Sequence, residues 1–214
     1  MNLYTNVLLL NEIYNLKQVK RQGWLRPGRK LSLNDVESVS DHSWCAAMLA
    51  LLLLPNTLVE YKEKYYNSED SEDSESYEKD KIIKMLVVHD LAEAHTGDIP
   101  KGEKNKQDEI DEKSRFLYYK DLNFPNKINI EGIYNLWEEF TLCKTLNSKI
   151  AKDIDQLECY IQLSFYREKL IEINGITGWQ NVYTNWLNSL NLNTIFGSEL
   201  KSTVDSMFFS NEEN

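Results

Sequence analysis

The sequence is poor in cysteine: its 214 residues hold three, Cys45, Cys143 and Cys159, odd in number and widely spaced. Neither a disulfide framework nor a Cys-rich zinc site is readable from them, and a reducing, cytoplasmic compartment fits best. Long apolar runs are also missing. The run at 7–10 is interrupted by Asn11 and Glu12, and the longest, 44–54, is eleven residues, well short of the roughly 20 that span a bilayer. Neither has the form of a signal peptide with its cleavage site, so no membrane partner is expected. A clustered basic face, the mark of a protein that grips a nucleic-acid backbone, is absent too. The net charge is −10, and the window 67–80 carries −6 of it, with seven acids against Lys79. There is no β alternation and no repeat of solenoid length. Histidine is limited to His42, His89 and His95, two of them in one short motif.

What the sequence does hold is helical periodicity, and the fold class it predicts is all-α. Leu3, Val7, Leu10, Ile13 and Leu16 recur at intervals of three or four, giving an amphipathic opening helix over 3–20. The stretch 44–54 is apolar on all sides, as a central buried helix would be, with Ser40 or Asp41 as its N-cap. A helix beginning near Lys79 has Ile82, Ile83, Leu86 and Val87 as core contacts. Residues 105–122 form a charged helix with Ile110, Phe116, Leu117 and Leu122 inward, and the next helix turns on Ile130, Ile133, Tyr134, Leu136, Trp137 and Phe140. A long helix over 148–173 carries the stripe Ile150, Ile154, Leu157, Ile161 and Phe165. Two last helical stretches bear the aromatics of 179–208, which serve either the core or a homodimer contact. Residues 67–80 are low-complexity, acidic and free of aliphatic side chains, and are expected to be a loosely held insertion.

The chemistry is concentrated at 85–98, where an apolar run ends without a turn residue in His89, Asp90 and Glu93. In a helix His89 and Glu93 share a face, with Asp90 beside His89. An imidazole and an adjacent carboxylate can reach one cation, while a second carboxylate works on whatever the cation holds. Gly97 permits positive φ and Pro100 disfavours helix before it, so Asp98 is held near Glu93. A satisfied polar cluster at a helix end would look the same, and the missing ligands decide between the two. His42 lies in the first turn of the buried helix that Ser40 or Asp41 caps and that runs on through 44–54. Asp153 and Asp155 flank the stripe of the long helix, one on each side, and periodicity leaves open which faces inward. Ligands on separate helices can converge inside a bundle to build a metal site. The loop 20–30 packs five cationic side chains around Trp24 and two glycines, offering arginine to a phosphate and an indole to a base or sugar.

Taken together, Ser-Val-Ser-Asp-His42-Ser-Trp, His89-Asp90-Leu-Ala-Glu93 and Thr-Gly97-Asp98-Ile-Pro, followed by Ile-Asp155-Gln-Leu, closely resemble the HD-domain hydrolases. Among these the chain looks most like the YfbR-type 5′-deoxynucleotidases and their eukaryotic relatives. The resemblance covers residues 15–170; with no composition break in 214 residues, the chain is expected to be a single HD domain over 1–214, with that stretch as core, C-terminal helices at 177–209 and the insertion at 67–80, which is not part of the family pattern. The resemblance implies His42, His89, Asp90 and Asp155 as ligands of one divalent metal ion, and Glu93 as the catalytic carboxylate. Asp98 would be a second acid near the attacking water or the leaving group, and Trp24 a residue of nucleotide selection. The phosphate contact falls to Arg21 or Arg26. His95 stands where relatives carry an aliphatic residue and is expected to point away. No histidine follows it, which argues for one metal rather than two. The implied function is hydrolysis of (deoxy)nucleoside 5′-monophosphates, a small-molecule nucleotide substrate, by a homodimeric enzyme. The alternatives are hydrolysis of another small phosphate ester, or a non-catalytic nucleotide- or metal-binding regulator. Two imidazoles and two carboxylates suit Zn, Mn, Co, Ni or Mg without choosing among them.

Overall fold

The structure, a computed structural model, describes residues 10–65, 76–100, 102–121 and 130–210. In chain order they form a 3-10 turn (Gln22–Leu25), α1 (Val39–Leu53), α2 (Leu58–Tyr65), α3 (Lys79–Val88) and a short α4 (Glu93–Thr96). Then come α5 (Lys106–Asp121), α6 (Ile130–Leu142), α7 (Leu146–Ser189), α8 (Ile195–Val204) and a closing π turn, Asp205–Phe209. No strand occurs among the described residues, where Lys20 and Ser38 make an isolated bridge. No single described helix is long and apolar enough to cross a membrane. The class is all-α, as the periodicity predicts.

Reciprocal caps set where the two central helices begin. Ser38 caps α1: its hydroxyl accepts from the Asp41 amide, and the Asp41 carboxylate accepts from the Ser38 N–H at 2.8 Å. The cap is therefore Ser38 rather than Ser40 or Asp41. A serine and an acid three apart satisfy two orphan donors at once, whereas Asp41 is followed three residues on by Trp44, which has no acceptor to return. Thr145 and Ser148 repeat the device at the start of α7. These caps fix the phase of both helices, and with it the direction of every ligand they carry.

α1, α3 and α7 pack mutually through Ala46, Ala50, Ile82, Met85, Leu86, Ile150 and Ile154, all fully buried. Each large aliphatic side chain so buried stabilises the fold by roughly 1.5–3 kcal/mol. The alanines let α1 approach closely, but its opposite face is exposed: Trp44 is 65%, Leu51 49% and Leu52 72% accessible. The helix is thus two-sided, not buried all round. α7 breaks at Gly175 (φ 71°, ψ 173°), a left-handed conformation that a glycine adopts without steric cost. Its second half folds back, with Trp179, Val182 and Tyr183 packing in one cluster with Tyr160, Leu163, Tyr166 and Leu170. Ile161 packs against this cluster at its edge as expected, whereas Phe165, the last residue of the expected stripe, is exposed and Tyr166 is buried instead. Trp179 and Tyr183 are core residues and therefore do not serve a homodimer contact.

Elsewhere a paired polar residue displaces an apolar one from the interior. Helical turns cover 10–15, yet Leu10 and Ile13 are exposed while Glu12 and Leu16 are buried. Glu12 accepts from Arg115 Nε at 3.0 Å and from the Tyr119 hydroxyl, which satisfies the buried charge. For the same reason α5 turns Glu112, Phe116 and Tyr119 inward and leaves Ile110 and Leu117 exposed. On α6, Tyr134, Trp137 and Phe140 are buried as expected, and in the last turn Phe209 is buried where Met207 and Phe208 are not. Leu3, Val7, Leu122 and most of the acidic stretch lie outside the described residues. The end of that stretch is not loosely held: Tyr77 is buried, stacks on Tyr61 at 4.8 Å and donates to Pro55 O at 2.5 Å.

Candidate metal centre and its cleft

The first turn of α1 presents His42, the C-cap of α3 is His89 followed by Asp90, and the first half of α7 presents Asp155. Because these three helices pack on one another, the four side chains meet. Asp155 Oδ1 lies 3.0 Å from His42 Nε2 and 3.5 Å from His89 Nε2. Asp90 Oδ2 lies 3.1 Å from His89 Nε2 and 3.8 Å from His42 Nε2. The ligand atoms of His42, His89 and Asp155 all fall within 4.8 Å of one another. Asp153, the alternative to Asp155, is elsewhere: its carboxylate accepts from the N–H groups of Asn193 and Thr194 at the start of α8.

Both imidazoles are oriented from behind. His42 Nδ1 bonds Glu158 Oε2, and His89 Nδ1 donates to Leu86 O at 2.9 Å. Each ring therefore turns Nε2 to the centre, the arrangement in which a second-shell acceptor fixes a ligating histidine. His89 Nε2 and Asp90 Oδ2 are buried without a hydrogen-bond partner. Two orphaned atoms among two imidazoles and two carboxylates fit a divalent cation. The electrostatics agree. Burial works against charge on His89, but Asp90 and Asp155 outweigh it and push the imidazole up to about 9. Burial likewise opposes ionisation of Asp155, and the hydrogen bond from His42 together with the nearby His89 imidazole holds it well below the usual carboxylate range.

Beyond His89 the amide bonds tighten to three-residue closures, Leu91 N to Val88 O and Glu93 N to Asp90 O at 3.1 and 3.0 Å. In such a winding residues three apart eclipse, so Glu93 stacks beside Asp90 rather than His89. Glu93 is buried, with Oε2 unpartnered. Burial, then the charges of Asp90 and Asp98, push its carboxyl well above the usual range. Gly97 follows at φ 80° and delivers Asp98, whose two oxygens accept from Arg21 Nη1 at 2.7 Å and from the Gln22 N–H at 2.6 Å. Asp98 is thus committed to holding Arg21, which also reaches to 3.7 Å from Asp90.

A cleft of about 790 Å³ opens from Asp155, Asp98 and Arg21 along the basic loop. Arg26 sits at its rim, paired with Glu103. Trp24 forms part of the wall but is buried: it stacks on Trp186 at 5.5 Å, meets Tyr166 edge-on, and its indole N–H donates to Glu37 at 3.0 Å. With these contacts made it shapes the cleft and leaves little ring face to stack on a base. His95 is exposed and lines a separate hollow with Asp108 and Asp111. Sequence reasoning missed Glu158, although it follows Asp155 by three residues and so shares its face. It also missed Lys104, paired with Glu112 and acting on Glu93 and Asp90 through its charge; nothing in the local pattern marks it.

Comparison with known proteins gives this arrangement a context. An HD domain family model matches residues 13–185. The chain is 32% identical over 159 residues to 5′-deoxynucleotidase HDDC2 of Dictyostelium discoideum, covering 72% of this chain and 73% of that protein. Against 5′-deoxynucleotidase HDDC2 of Homo sapiens the identity is 29% over 166 residues, covering 74% and 67%. Among solved structures, a predicted metal-dependent phosphohydrolase from Magnetospirillum magnetotacticum MS-1 shares the fold with a TM-score of 0.60 at 20% identity, over 95% of this chain and 94% of that one. Matched over most of its length, and folded in the same way, the chain belongs to the HD domain family.

Proposed function

We propose that this protein is a metal-dependent 5′-nucleotidase that hydrolyses (deoxy)nucleoside 5′-monophosphates to nucleoside and inorganic phosphate. The observation that carries the reading is the convergence of His42, His89, Asp90 and Asp155, with two buried orphan atoms, at the inner end of a cleft lined by arginines. The relatives named 5′-deoxynucleotidase support the substrate class. The four ligands would hold one divalent ion, Zn, Mn, Co, Ni or Mg, which when bound supplies charge neutralisation and activates water near neutral pH.

The remaining steps belong to the chain's own groups. Arg21, clamped by Asp98 and the Gln22 N–H, meets phosphoryl oxygens with a preset guanidinium, so little reorganisation accompanies the charge that develops in transfer. Glu93, buried and next to Asp90, holds a proton for the departing 5′ oxygen of the nucleoside. Lys104 adds a second positive charge on the Glu93 side. The free thiols Cys45, Cys143 and Cys159 support a cytoplasmic setting, and the exposed Trp44, Leu51 and Leu52 support a homodimer through α1. We further take 1–214 as one domain.

The test is phosphate release from a panel of deoxy- and ribonucleoside monophosphates after loading with each metal. Release from at least one pairing is expected. No release from any, with metal bound, would leave a nucleotide-binding regulator as the better reading.

A further inference from the structure

The outer part of the cleft holds two side chains that the chemistry above does not use. After Gly175 the second half of α7 returns along the first. Gln156, next to Asp155, bonds Asn191 just past its end (Nε2 to O, 3.0 Å), whereas Asn174, before its start, donates to Arg29 O at 3.2 Å. The cleft-lining residues Ser189, Asn185 and Asn181 therefore recede from the metal ligands in that order, by about 6 Å for every four residues. Asn185 and Asn181 are exposed. Unlike Gln156, Asn174 and Asn191 around them, they make no hydrogen bond to the described protein.

The wall beside them is flat and aromatic. Trp186 stacks on Trp24, the Arg29 guanidinium lies 5.3 and 5.4 Å from the two rings, and Trp186 Nε1 is buried without an acceptor. A phosphate held at Arg21 and the metal ligands thus sends its nucleoside outward along this helix, past the indole wall, to the level of the two free amides. A carboxamide offers both donors and an acceptor, which is the complement of the amide or amidine edge of a nucleobase. Sugar hydroxyls do not require that pairing.

We propose that Asn181 and Asn185 bind the polar edge of the nucleobase, so that preference among nucleoside monophosphates is set by the second half of α7 rather than by Trp24. This rests on the nucleotidase reading. It is tested by calorimetric binding of the four deoxynucleosides, which lack the phosphate and so need no metal, to the wild-type protein and to N181A and N185A. A second measurement compares kcat/KM for the four deoxynucleoside monophosphates with that for 2-deoxyribose 5-phosphate. Alanine is well tolerated on an exposed helix, so the variants should fold.

Each substitution should weaken deoxynucleoside binding about 10-fold, unequally among the bases, and lower the preference for nucleotide over the abasic ester by a similar factor through KM. Unchanged nucleoside binding, or equal losses on nucleotide and abasic ester, would overturn the proposal. Failure of the wild-type enzyme to hydrolyse any nucleotide is a different outcome: it removes the nucleotidase reading itself, and this proposal with it.

Discussion

Asp153 and Asp155 stand two residues apart on α7 and serve opposite sides of it. Asp155 Oδ1 lies 3.0 Å from His42 Nε2, while the Asp153 carboxylate accepts from the Asn193 and Thr194 N–H groups at 2.8 Å each and from the Thr194 hydroxyl at 2.7 Å. Two steps along an α-helix is a rotation of about 200°, so one acid looks to the metal centre and the other to α8. A Cβ at Gly197 would come within 2.4 Å of Asp153 Oδ2, which shows how closely α8 is seated on it.

Asp155→Ala should therefore lose bound metal with little change in melting of the metal-free protein. Asp153→Ala should keep its metal and lose roughly 3 kcal/mol of stability, because several buried donors are left unpaired. Metal content and thermal melting of the two variants separate the roles. Loss of metal from Asp153→Ala and not from Asp155→Ala would reverse the assignment.

Glu93→Gln should reduce kcat by at least about 100-fold, the usual scale for a positioned proton donor, with metal stoichiometry near the wild-type value. Loss of metal in this variant would make Glu93 a ligand instead. Elemental analysis alongside single-turnover phosphate release tells the two apart.

Glu158 touches no substrate in this arrangement; it acts through His42. Glu158→Gln can still bond Nδ1 but no longer supports positive charge on the ring, and metal affinity should fall 10–100-fold. Competition with a chelator measures this directly. An unchanged affinity would mean that packing alone orients His42.

Burial, then the charge of Glu158, push the Glu37 carboxyl from 4.5 up to about 7. The folded state thus favours the protonated form. Its contribution to stability is complete below the ordinary value and is lost as pH rises through 7. Glu37→Gln keeps a neutral acceptor for the Trp24 indole and removes the titration. Its melting temperature should match that of the wild type near pH 4.5 and exceed it increasingly up to pH 7.5. A constant offset across that range would assign the pH dependence to another group.

Helix class, the order of the ligand-bearing helices and the His89-Asp90 pair were legible in the chain because they depend on periodicity and adjacency, which are local. The phase of those helices was less so. Ser38 rather than Ser40 caps α1 through its reciprocal bonds with Asp41, although Ser40 and Ser43 have a like spacing, and Tyr166 rather than Phe165 is buried because α7 folds back at Gly175. The division of labour between Asp153 and Asp155 lay beyond periodicity, since both flank the same stripe. It took α1 on one side and α8 on the other to separate them. The commitment of Asp98 to Arg21, 77 residues away, and of Glu158 to His42, 116 residues away, likewise has no local signal. Charge pairing and burial act through space, so sequence alone determined the kind of helix and the kind of ligand, and only tertiary packing decided which carboxylate each cation or donor would meet.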